Sequence, residues 1–211
     1  MSVPTSEHTS EHILSTERLE ALADGIFAFA MTLLVLSIDL PASIPTASAN
    51  QAILKYLIDF MPKLGIYAIA FLILGMLWYG HQRLFHFIEY IDTGLLWINL
   101  IFLMFVAIAP FTTNLAGDYV NFQMGILPME IQFLILNLIY SYMWLYVISR
   151  PEMLSHELNS LEVAKTKEKQ TVQIAMALTA ICISFFSTIL SLLPIILLLY
   201  ISISNRYRLI K

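Results

Sequence analysis

Few residues in this chain have the chemistry to act on anything, and most of those lie inside apolar runs. Asp24 is an ionisable group within a hydrophobic segment, which makes it a functional-site candidate by default because charge near hydrocarbon is costly. The plainer reading is an interfacial carboxylate one turn inside the headgroups, and Glu130, near the start of another apolar run, reads as interfacial in the same way. His81 and His86 are five apart, so they do not form an i, i+4 metal pair, and no Glu lies between them as a metalloprotease helix requires. His8 and His12 have the spacing but fall in a polar tail. There is no nucleophile and base pair, no paired catalytic acids and no Gly-rich phosphate cradle, so the sequence gives no catalytic residue, no metal site and no cofactor. An enzyme is not expected.

The elements that must position these residues are membrane helices. Of 211 residues 59% are hydrophobic and 12% charged, and the mean hydropathy is +0.78. A soluble domain carries about a quarter charged residues. The net charge of −4, with thinly scattered Lys and Arg, offers no basic stripe for a phosphate backbone, so nucleic acid is not expected as a partner. Cys182 is the single cysteine, in the run ICISFF, where a thiol acts as a small hydrophobe. The N-terminus has no Lys or Arg before Arg18 and does not look like a signal peptide, so the first apolar helix is expected to persist in the mature protein.

A helix crossing roughly 30 Å of hydrocarbon needs about 20 mostly apolar residues. Runs of that kind cover residues 18–40, 62–83, 92–113 and 126–148, and the polar stretch 149–170 forms the one real linker. Residues 171–204 carry no charge and are too long for a single crossing, so they read as a hairpin of two spans that breaks near Ser187 to Pro194. The expectation is an all-α bundle of six transmembrane helices. Residues 1–17 form a polar tail, 18–205 the membrane domain and 206–211 a short basic tail. With six spans, one side carries Arg18, Arg83, Arg150, Lys165, Lys167, Lys169, Arg206, Arg208 and Lys211, against Lys55 and Lys63 on the other. That bias predicts a multi-pass protein of the cell membrane with both termini cytoplasmic.

Stepping along the first helix at 100° per residue brings Arg18, Gly25, Phe29, Thr32 and Leu36 within about 40° of one line, with Leu33 about 80° round. Asp24 sits about 100° off this stripe, so it should face a neighbouring helix and, if ionised, need an indole, imidazole or amide donor. The stripe thus carries one hydroxyl among bulky apolar groups. Periodicity alone favours the plainer reading, a helix packed in a bundle with Thr32 bonded back to its own turn.

The stretch Arg18-x-x-x-Leu22-Ala23-Asp24-Gly25-Ile26-Phe27-Ala28, running on to Thr32-Leu33-Leu34-Val35-Leu36, resembles the Arg-x-x-x-Phe-Ser-Asp first-helix signature of the endolysosomal potassium channel family in its short prokaryotic form. Leu22 and Ala23 replace the signature's Phe and Ser. Trp78-Tyr79-Gly80-His81, Asn99 and Ala109-Pro110-Phe111-Thr112-Thr113 follow the family's order and spacing, and no TVGYG filter occurs. The resemblance implies a homotetramer in the lipid bilayer whose four first helices line a pore for monovalent cations. Carried over by position, Phe29, Thr32, Leu33 and Leu36 would be its narrow part, with K+ as the permeant ion, preferred modestly over Na+. It also implies a polar network of Arg18, Asp24, Trp78, His81 and Asn99 that supports the pore helix. The rival reading is a secondary transporter in which Asp24 or Glu130 couples protons or another ion.

Overall fold

The computed structural model describes residues 16–36, 49–155 and 160–208. Six α-helices account for nearly all of them: α1 Thr16–Leu36, α2 Ala49–Phe85, α3 Thr93–Asp118, α4 Gln123–Ile148, α5 Ser160–Ser184 and α6 Leu192–Arg208, with a 3-10 turn at Pro151–Met153. Helix is what a membrane demands, because it satisfies each backbone donor and acceptor within its own segment. The first four helices are long and apolar enough to cross a membrane. In α5 the first turns carry Glu162, Lys165, Lys167, Glu168 and Lys169, and the apolar part of α6 runs only from Leu192 to Ser202.

Several boundaries differ from those read in the sequence, and a proline stands at one of them. Helix α2 begins at Ala49 rather than residue 62 and carries Pro62 inside it, α3 runs past Pro110 to Asp118, and α4 starts at Gln123 ahead of Pro128. Each proline removes one backbone donor, and a long membrane helix tolerates that where neighbouring groups cover the freed acceptors. Near Pro110, Gln132 Nε2 on α4 donates to the Phe105 carbonyl at 2.6 Å, and Thr112 bonds both the Ala109 carbonyl and the Gln132 side chain, which ties α3 to α4. The polar stretch read as a linker is helical from Ser160. The expected break between the last two helices falls at residues 185–191, so Pro194 lies in the first turn of α6. Residues 37–40, the expected end of the first span, lie outside the described residues.

Helix α3 is the centre of the bundle and packs against α1, α2 and α4; α5 lies on α4, and α6 on α5 with a lighter contact to α2. Phe27, Leu34, Leu84, Phe85, Leu95, Phe102, Leu103 and Met143 are completely or almost completely buried where these helices meet. In lipid such contacts hold by close packing rather than by exclusion of water.

One end of the bundle is fastened by Asp92. Its Oδ1 caps α3 by accepting from the Leu95 amide at 2.7 Å, and its Oδ2 accepts from the Tyr146 hydroxyl at 2.6 Å. The Arg150 guanidinium lies 3.7 Å over the Tyr146 ring. Backbone bonds from Glu89 to Met153 and from Ser155 to Phe87 tie the α2–α3 connection to the 3-10 turn.

Candidate functional site: the outer face of α1 and its supports

Helix α1 has two faces. Leu19, Ala23, Phe27, Ala30 and Leu34 are buried at steps of three and four residues, so this side fits α2 and α3. Ala23 and Ala30 let the backbones approach, and Phe27 fills the space between them against the rings of His81 and Phe102. Arg18, Gly25, Phe29, Thr32 and Leu36 lie on the opposite side and are all exposed on the single subunit, Phe29 to 65% and Leu36 to 73%. Leu33 is half-buried at the edge of this stripe. The Thr32 hydroxyl donates to the Phe29 carbonyl at 2.8 Å. That bond uses its hydrogen and leaves the oxygen lone pairs directed outward, so back-bonding and an outward-facing acceptor coexist in one residue.

Asp24 stands beside the stripe and faces α2. Its Oδ1 accepts from the Trp78 indole nitrogen at 2.7 Å and also from the Gln82 amide. Trp78 and Gln82 are one turn apart on α2, so a single helix face supplies both donors. Sequence reasoning missed Gln82, although its i, i+4 relation to Trp78 was there to be read.

His81 and Asn99 form a second, separate pair. Both are completely buried, and His81 Nε2 meets Asn99 Oδ1 at 2.7 Å. The imidazole stacks on Phe85 at 4.2 Å and on Phe102 at 5.7 Å between ring centres. Four of the five polar residues therefore fall into an Asp24–Trp78 pair, extended by Gln82, and a His81–Asn99 pair on the buried side of the same turns of α2. Arg18 is exposed and has no hydrogen-bond or ion-pair partner among the described residues.

The sequence also gave no signal for a third tie between α2 and α4, where the Tyr140 hydroxyl donates to the Gly80 carbonyl at 2.7 Å and accepts from the Trp144 indole at 2.9 Å. Glu130, read as interfacial, is instead 1% exposed; the ends of α5 and α6 cover it, which spacing along α4 could not reveal. Among the described residues no cluster of three or more His, Cys, Asp or Glu side chains is arranged to hold a metal ion.

These features define an all-helical membrane protein with a polar-supported first helix that presents one unpaired face. Residues 18–110 match the family model described as the endosomal/lysosomal potassium channel TMEM175, a stretch that contains α1 from Arg18 on, with its stripe and both supporting pairs. The chain is 34% identical over 104 residues to a potassium channel of Streptomyces collinus, a match spanning 49% of this chain and 48% of that one, about half the length of the relative. It is 26% identical over 179 residues to a potassium channel of Chamaesiphon minutus, covering 83% of this chain and 87% of that one. In fold it resembles the crystal structure of a lysosomal potassium-selective channel TMEM175 homologue from the same organism, with a TM-score of 0.77 and 24% identity over 90% of this chain and 97% of that one.

Proposed function

We propose that this chain is one subunit of a passive potassium channel in which α1 lines the pore. The observation that carries the reading is the outer face of α1: Phe29, Thr32 and Leu36 are exposed on a helix whose other side is packed, within the stretch matched by the channel family. A single copy of such a face encloses nothing. Four copies around an axis turn one hydroxyl into a ring of acceptors and three bulky apolar side chains into a constriction.

In this reading Phe29, Leu33 and Leu36 narrow the pore and make it prone to dewetting, and Thr32 replaces part of the water that an ion sheds there. Potassium gives up water more readily than sodium, so one ring of hydroxyls favours it modestly. Asp24 with Trp78 holds α1 against α2, and His81 with Asn99 joins α2 to α3 behind Phe27, so both act on the pore by fixing the position of its lining helix. Arg18 marks the cytoplasmic mouth. The subunit crosses the cell membrane six times with both termini in the cytoplasm, α5 and α6 making the last two crossings, and residues 18–205 form the channel domain between a polar and a basic tail. No chemical step and no cofactor enter; the permeant ion is the only ligand.

The test is planar-bilayer recording of the purified protein under opposed potassium and sodium gradients, with mass measurement of the assembly in lipid nanodiscs. The reading requires a tetramer and a conductance that needs no coupled ion. A monomer as the sole species, or saturable flux coupled to protons, would support a transporter instead.

A further inference from the structure

Glu130 belongs neither to the α1 stripe nor to its supports. It lies about 10 Å along α4 from Gln123 and is 1% exposed. Its neighbours Ile126 and Met129 belong to a small apolar cluster with Ile66 of α2, Ala116 of α3 and Leu192 of α6. The polar side chains that face it among the described residues are Ser184, the last residue of α5, and Ser191, just before α6.

Both serines spend their hydrogens elsewhere. Ser184 Oγ donates to the Ile181 carbonyl at 2.8 Å and Ser191 Oγ to the Thr188 carbonyl at 2.7 Å. What they turn toward Glu130 is lone pairs, and neither carboxyl oxygen has a hydrogen-bond partner among the described residues. Among the described residues no compensating cation is at hand. Lys63 of α2 and Asp118 of α3, at the same end of the bundle, are engaged with each other at 2.6 Å. Residues 171–204, which include the ends of α5 and α6 at this point, carry no charge, and Glu130 is the only charged residue of α4. A carboxylate here would meet acceptor oxygens and hydrocarbon, an arrangement with no compensation for lost water. A neutral carboxylic acid fits, because its O–H is the one donor in a group of acceptors.

We propose that Glu130 is a proton-binding site, at which the neutral acid donates to Ser184 or Ser191 and so holds α4 to the turn between α5 and α6. The proton comes from solvent at that end of the bundle. When it leaves, the two hydroxyls must turn from the Ile181 and Thr188 carbonyls to solvate the carboxylate, and the turn loosens. Proton occupancy and the packing of the last two helices are thereby linked. This site lies apart from the α1 face and does not depend on what the channel conducts.

Infrared spectroscopy of the full chain in lipid tests the site directly. The carbonyl stretch of a protonated carboxylic acid is expected in the wild type at neutral pH, lost in Glu130→Gln and retained in Asp24→Asn. In Ser191→Ala or Ser184→Ala the band should shift toward the position of a carboxyl group without a hydrogen bond. A second readout is thermal unfolding. Folding retains a proton that the unfolded chain releases above the ordinary carboxylate pKa of about 4.3, so the wild-type Tm should fall as pH rises from there, and that of Glu130→Gln should fall less. Absence of the band from the wild type, or its survival in Glu130→Gln, would overturn the proposal. If Glu130→Gln does not fold, the wild-type band and its shift in the serine variants decide, and a band that neither serine moves would overturn it equally.

Discussion

Asp24 of α1 and Trp78 of α2 meet through a 2.7 Å hydrogen bond from the indole nitrogen to a carboxylate oxygen, beside the outward stripe of α1 and not on it. The charge that the apolar run makes expensive is thereby held by a neighbouring helix, with Gln82 as second donor. A carboxylate so placed fixes the rotation of α1 about its own axis, and that rotation decides which residues face outward.

Trp78→Phe removes one donor to a charged acceptor and keeps the aromatic bulk. It should destabilise the folded subunit by about 1.5–3 kcal/mol at most, since Gln82 remains. Asp24→Ala, which leaves both donors without their acceptor, should cost more. Thermal unfolding in detergent compares the two, and an Asp24→Ala protein as stable as wild type would mean that the pair supports nothing.

The buried His81–Asn99 pair makes a sharper prediction. Asn99→Leu strands His81 Nε2 in a fully buried site, and His81→Phe strands the Asn99 side chain, each at a cost of about 1–3 kcal/mol. The double variant should be less destabilised than the sum of the singles, because no polar group is then left without a partner. Strict additivity in a double-mutant cycle would contradict the contact.

Two glycines separate packing from propensity. A Cβ at Gly125 would run into the backbone carbonyl of Tyr119, which cannot move without rebuilding the α3–α4 connection, so Gly125→Ala should cost about 1–3 kcal/mol. A Cβ at Gly25 meets nothing within 4 Å, and in mid-helix alanine is favoured over glycine by about 1 kcal/mol. Gly25→Ala should therefore fold as well as wild type or better, which a pair of melting curves would check.

What could be read in the sequence follows from what periodicity encodes. The packed side of α1 is what steps of 3.6 encode: Arg18, Gly25, Phe29, Thr32 and Leu36 are exposed on the subunit, as are Leu22 and Val35 beside them, and the buried positions lie opposite. The need of Asp24 for a donor was legible from cost alone. Helix ends were read less well: α2 begins at Ala49, well ahead of the Pro62 at which its span was expected to start, and α3 runs on through the mixed stretch 114–118. Glu130 was misread because α5 and α6 bury it and nothing in the run around it says so.

The central claim is that the outer face of α1 lines a potassium pathway, and the reversal potential of purified protein in a planar bilayer, with potassium on one side and sodium on the other, tests it most directly. Wild type should reverse on the potassium side of zero. Thr32→Val, which keeps the shape and removes the outward oxygen, should move that potential toward zero or change the conductance. Thr179→Val should leave both unchanged, because it removes a hydroxyl that bonds back to Ala175 at 2.8 Å on α5, away from the proposed pore. No selective current in wild type, a reversal that follows a proton gradient, or identical behaviour of Thr32→Val and wild type would contradict the account.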